Sequence, residues 1–94
     1  MIDRNQVNEI IKRFEDRGDI RGVIITDPSG LPLDSSLDSD TTEAVAAHVT
    51  SLLGKGSKIV DSLKEGKLKF IRLETGKGEI MVALEENLIL IVLK

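Results

Sequence analysis

DTTEAVAAHVTSLLGKGSKIVDSLKEGKLKFIRLET, from Asp40 to Thr75, reads as one long helix that feeds through a short turn into a strand. Placed at about 100° per residue, Val45, Val49, Leu52, Leu53, Ile59, Val60 and Leu63 fall within roughly a third of the helix circumference, the width of a core-facing stripe. Beside that stripe runs an arc of small residues: Ala46, Ala47, Thr50, Gly54 and Ser57. Small side chains let another backbone come close, so the arc suits a second helix, including a copy of the same one. Ordinary helix surface is the alternative, although an exposed face more often carries long polar side chains.

Gly54 and Gly56 test the helix, because each costs about 1 kcal/mol against Ala in a helix interior. Either the helix breaks at Gly54-Lys55-Gly56 or the glycines permit close packing. The apolar stripe keeps its phase on both sides of the pair, which favours an unbroken helix. Gly56 then projects into the stripe, where a missing side chain lets the helix lie close on a sheet. Asp40, with Glu43 three residues on, supplies the capping signal at the start.

Upstream, Asp3 and Gln6 have the spacing of a capping box, and Ile2 and Val7 that of a hydrophobic staple. Val7, Ile10, Ile11 and Phe14 follow the i, i+3, i+4, i+7 rule, and Gly18 stands where a left-handed cap is usual, so a first helix is expected over about 4–17. The β-branched run from Ile20 to Asp27 is a strand. Asp27-Pro28-Ser29-Gly30 has the residues of a tight turn. The return limb, Leu31 to Ser35, carries Pro32, which cannot donate to a ladder and marks an edge strand. Ser35 to Ser39 is a short polar connection into the long helix.

Downstream, Glu65-Gly66-Lys67 turns the chain. Leu68–Thr75, Glu79–Leu84 and Leu88–Leu93 are three further strands, joined by links so short that only antiparallel neighbours are possible. Val23-Ile24-Ile25 and the run from Leu88 to Leu93 show no polar alternation, so these strands are expected to be covered on both faces. With two helices available, one is expected on each face. The order is α-β-β-α-β-β-β, an α+β class, and the 94 residues are expected to form a single domain, 1–94.

Composition narrows the function. Net charge is -3 and the only aromatics are two Phe, which argues against general nucleic-acid binding. With no cysteine there is no disulfide, thiolate metal site or cysteine nucleophile, and a cytoplasmic location fits. The N-terminus lacks a signal-peptide pattern, and the longest apolar run is too short to span a bilayer, so no membrane insertion is expected. His48 is the single histidine and lies off the apolar stripe, where a solvated surface position is expected. Asp34, Asp38 and Asp40 do not match a calcium loop. Gly54-Lys55-Gly56-Ser57 and Gly76-Lys77-Gly78 each lack the full phosphate-loop pattern. Neither a catalytic site, a metal site nor a cofactor is therefore expected. Charge is uneven: five acids and no base from Asp27 to Glu43, then six bases against two acids from Lys55 to Arg72. Opposed patches steer partners or bring protomers together, but plain solubility is the favoured explanation.

The element order, with Gly22 before an aliphatic strand and Asp27 and Gly30 at the turn, resembles the Roadblock/dynein light chain family over essentially the whole chain. The long second helix and the closing run from Leu88 to Leu93 also match. The resemblance implies a profilin-like five-stranded antiparallel sheet of order 2-1-5-4-3. It also implies a homodimer in which second helices pack antiparallel and third strands pair edge to edge. The arc Ala46, Ala47, Thr50, Gly54 and Ser57 then corresponds to the helix contact, and Leu68, Phe70 and Arg72 to the pairing strand. Many members continue into a third helix, whereas this sequence ends at Lys94, so part of one sheet face is expected to be bare. The function implied is a non-catalytic regulator or scaffold that binds a small Ras-like GTPase and modulates its nucleotide cycle. A platform subunit of a signalling or motor-type complex without a direct GTPase partner is the alternative.

Overall fold

The computed structural model describes residues 4–94. The expected start signals at Ile2 and Asp3 lie outside the described residues. Seven elements follow in order: α1 (Arg4–Glu15), β1 (Gly22–Thr26), β2 (Pro32–Ser35), α2 (Ser39–Ser62), β3 (Phe70–Glu74), β4 (Glu79–Leu84) and β5 (Ile89–Leu93). The strands form one sheet of order β2-β1-β5-β4-β3 with every pairing antiparallel. This is the α+β architecture expected from the sequence, with the strand order that the family resemblance implies.

Alternation along the central strands divides the core in two. Ile24, Val82, Ile89 and Ile91 pack with Val49 and Leu53 of α2 on one face. Val23 and Ile25 pack with Val7 and Ile11 of α1 on the other. All five residues of β1 are buried, which explains why that strand reads as apolar without interruption.

The turn before β2 is built by one carboxylate. Asp27 Oδ1 accepts from the Ser29 N–H (2.9 Å), the Ser29 hydroxyl (2.7 Å) and the Leu31 N–H (2.9 Å). Gly30 closes the turn at φ +95°, a left-handed conformation natural to glycine.

Two helix ends differ from expectation, and a third is closed by its own motif. α1 stops at Glu15, finishing through Asp16 N–H to Lys12 C=O (3.0 Å) and Arg17 N–H to Phe14 C=O (3.1 Å). Gly18 is not in the left-handed region, so it is no such cap. α2 is capped not by Asp40 but by Asp38, whose Oδ2 accepts from the Thr41 N–H at 3.0 Å. Asp40 instead lies in the first turn, where its charge suits the positive end of the helix. At the far end, Lys64 takes φ 55°, Glu65 N–H reaches Val60 C=O (3.1 Å) and Lys64 N–H reaches Asp61 C=O (3.1 Å), the bonding of a Schellman motif.

α2 runs unbroken through both glycines. A Cβ on Gly56 would come within 3.0 Å of Leu68 Cδ2 and 3.4 Å of Ile71 Cδ1, so the absent side chain lets the helix lie against the sheet. Gly54 faces open space.

The apolar stripe, however, is only partly core. Val49 and Leu53 are buried, whereas Ile59 is 62% and Leu63 66% exposed. A helix of 24 residues spans about 36 Å, while a five-residue strand spans about 17 Å, so the sheet runs out before the helix does.

A candidate self-association surface

A sheet with two edges has two rows of backbone donors and acceptors to dispose of, and this chain treats them differently. At β2, Pro32 has no N–H to offer. Ser36 N–H bonds Val23 C=O, so in the register Ile24 opposite Ser35 the backbone groups of Ser35 point away from β1. Asp34 Oδ1 takes the Ser35 N–H at 2.8 Å, and Arg4 Nη1 donates to the Leu33 C=O at 2.5 Å. The β2 edge is blunted by the chain's own side chains.

The β3 edge is open. Leu84 N–H bonds Lys69 C=O (3.0 Å) and Thr75 N–H bonds Gly78 C=O (2.8 Å), so odd-numbered residues turn their backbone towards β4. The N–H and C=O groups of Phe70, Arg72 and Glu74 therefore face outward, with no strand beyond them among the described residues. Arg72 Nη2 bonds Glu74 Oε1 at 3.1 Å and also Glu79 Oε1. All three side chains keep contact with solvent, so these ion pairs add little stability.

Apolar exposure gathers at the same end. Among the described residues, Leu31, Ile59, Leu63, Phe70 and Leu73 are the exposed large apolar side chains, and all but Leu31 belong to β3 or to the second half of α2 and its C-cap, Leu63. Gly56 against Leu68 and Ile71 anchors that half of the helix beside β3. Ile59 and Leu63 stand one helical turn apart on the exposed side of that half.

The residues singled out from the sequence do not form one surface. Phe70 and Arg72 lie on the open edge, with half-buried Leu68 just before it. Ala46, Ala47 and Thr50 line a groove of about 840 Å³ against β2, at the opposite edge of the sheet. Ala46 is buried inside the chain itself, at 2% exposure. Thr50 donates to Ala46 C=O at 2.8 Å, and its hydroxyl occupies the space a Cβ on Gly30 would need. Much of the small-residue arc thus serves close approach of α2 to the hairpin within one chain. Gly54 is exposed and Ser57 half-buried. Sequence reasoning assigned Ile59 and Leu63 to the core and passed over Leu73. The signal was present, in a stripe longer than any strand could cover.

The opposite sheet face is partly bare. α1 lies over β1 and β2 and leaves a shallow trough of about 230 Å³ lined by Phe14, Ile20, Phe70, Met81 and Leu90 among others. His48 is exposed, and no group of three or more His, Asp or Glu is placed to hold a metal among the described residues. Gly54-Lys55-Gly56-Ser57 is helix interior and Gly76-Lys77-Gly78 joins β3 to β4.

A Roadblock/LC7 domain model matches residues 6–94. Among solved structures, Myxococcus xanthus MglB superposes with a TM-score of 0.84 at 14% identity, over 98% of this chain and 73% of that one. The gliding protein MglB from Thermus thermophilus gives 0.81 at 13% identity, over 95% and 70%. A Roadblock/LC7 domain from Streptomyces avermitilis gives 0.74 at 17% identity, over 90% and 71%. These likenesses concern fold, and the domain model speaks to lineage: the chain belongs to the Roadblock/LC7 domain family.

Proposed function

We propose that this protein is a non-catalytic, cytoplasmic, single-domain homodimer that binds a small Ras-like GTPase and modulates its nucleotide cycle. The observation that carries the dimer is the contrast between the two sheet edges. One is closed by Pro32, Arg4 and Asp34, and the other is open beside exposed Leu73, Ile59 and Leu63. A long open edge with apolar neighbours invites strand addition, and a second copy of the same edge is self-complementary. Exposed Ile59 and Leu63, one helical turn apart beside that edge, support antiparallel packing of two α2 helices across the same axis. No helix among the described residues is long and apolar enough to cross a membrane.

The GTPase partner rests on family membership, and the chain's uneven charge is compatible with it. The five acids from Asp27 to Glu43 lie around the β2 end, and the six bases from Lys55 to Arg72 around the β3 end. The test is a titration of the folded protein against each Ras-like GTPase of the same genome, in GDP and GTP-analogue forms, with hydrolysis followed in parallel. Binding that favours one nucleotide form establishes a regulator, and a changed hydrolysis rate shows its direction. Absence of binding to every one of them overturns the GTPase reading and leaves a structural platform.

A further inference from the structure

We infer that two copies of this chain pair β3 to β3 in one register, with Arg72 on the two-fold axis; this rests on the homodimer proposed above. Three observations select it. The first is parity: only Phe70, Arg72 and Glu74 turn backbone groups outward, and outward groups must meet outward groups. The axis must therefore pass through a residue, and Ile71, Arg72 and Leu73 are the central candidates.

The second is overlap. Centred on Arg72, the strands match end for end: Phe70 faces Glu74, Arg72 faces Arg72 and Glu74 faces Phe70, three bonded pairs within β3. Centred on Ile71 or Leu73, only two bonded pairs remain inside the strand, and the third would draw on the turns outside it. A lost pair is two backbone hydrogen bonds, each worth roughly fivefold in an equilibrium constant. Like charges directly opposite cost at most about that much once. Here the cost is smaller, because each Arg72 guanidinium is already bonded to Glu74 and Glu79 of its own chain.

The third is the face under α2. The Arg72 register sets Ile71 of each copy opposite Leu73 of the other in the closely spaced, non-bonded position, joining an apolar side chain that is half-buried to one that is 39% exposed. The Leu73-centred alternative would set Leu73 against itself but Ile71 against Thr75, and the Ile71-centred one would set Ile71 against itself but Leu73 against Lys69, so each keeps one such apolar pair where the Arg72 register makes two. Thus overlap and apolar pairing both favour Arg72, and charge alone opposes it.

The chain has no cysteine, so single introduced thiols report the register without background. Cα atoms on the axis lie about 5.5 Å apart, within disulfide reach. Under mild oxidation, Arg72→Cys is expected to cross-link to itself. An equimolar mixture of Ile71→Cys and Leu73→Cys is expected to give the mixed dimer at least tenfold faster than either alone. Self-cross-linking of Leu73→Cys or Ile71→Cys at the higher rate would overturn the register and leave the dimer standing. Sedimentation of the wild type as a dimer with no cross-link at any of the three positions would overturn strand pairing. A wild-type monomer would remove the dimer itself, and the register with it.

Discussion

Gly56 faces Leu68 so closely that a Cβ would come within 3.0 Å of Leu68 Cδ2, whereas Gly54, two residues away on the same helix, faces nothing within 4 Å. The two glycines look alike in the sequence and do opposite things. Gly56 brings α2 down onto β3. Gly54 carries the backbone entropy cost of glycine without a packing return.

Opposite effects on stability follow. Gly54→Ala is expected to stabilise the fold by about 0.5–1 kcal/mol through helix propensity alone. Gly56→Val is expected to destabilise it by about 1–3 kcal/mol, because added methyl groups would push the helix off Leu68 and Ile71. Urea unfolding of the two variants in parallel checks both signs.

The hairpin turn gives a second prediction. Gly30 combines φ +95° with a Cβ position occupied by the Thr50 hydroxyl. Gly30→Ala is expected to cost about 1–3 kcal/mol from strain and collision together. Pairing it with Thr50→Ala should recover only the collision part, so the double variant stays less stable than Thr50→Ala alone. Equality of those two would show that the left-handed backbone is unstrained by a side chain.

Acid should act through the turn and the helix cap. Hydrogen bonds from the Ser29 side chain and then the Leu31 N–H hold the Asp27 carboxyl below its ordinary range. The Thr41 N–H does the same for Asp38. A carboxylate whose pKa is lower folded than unfolded contributes stability above its unfolded value, near 4. That contribution is lost as pH falls through the lower, folded value. The urea midpoint is therefore expected to hold from neutral pH to about 5 and to fall below 4. The gap between wild type and Asp38→Ala should close over the same acid window. A constant gap down to pH 2 would mean that the charge contributes nothing to the cap.

Self-association is expected to depend on residues already exposed in the single chain. Ile59→Glu and Leu73→Glu should each give a monomer in sedimentation at micromolar concentration, with an unchanged far-ultraviolet spectrum, because neither side chain belongs to the core. Ala47→Glu, on the groove beside β2, should leave the dimer intact.

How far the sequence carried can be read residue by residue. Val7 and Ile11 announced by their 3.6 period which face α1 buries, and the unbroken run Val23-Ile24-Ile25 announced a strand covered on both faces. The glycine at 56 was legible too, since the stripe held its phase through it. Ile59 and Leu63 were not, because periodicity tells which side chains are apolar and not whether a strand lies beneath them. The cap was missed because the turn-forming acids Asp38 and Asp40 offer competing starts. Ser35 decides between them: its hydroxyl accepts from Thr42 Oγ1 at 2.7 Å and fixes where the helix begins, a contact made only once β2 is in place. The small arc reads as a surface for a second helix, whereas Thr50 meets Gly30 of its own chain. Sequence alone does not say whose backbone comes close.

The central claim is that the β3 edge is the surface on which a second copy adds. Arg72→Pro tests it most directly. The Arg72 N–H points away from β4, so proline at this position leaves the β3–β4 ladder intact and removes one outward donor, with ring bulk on the edge. Sedimentation at micromolar concentration is expected to show a wild-type dimer and a folded Arg72→Pro monomer. A wild-type monomer, or an Arg72→Pro variant that sediments as a dimer, would contradict the account.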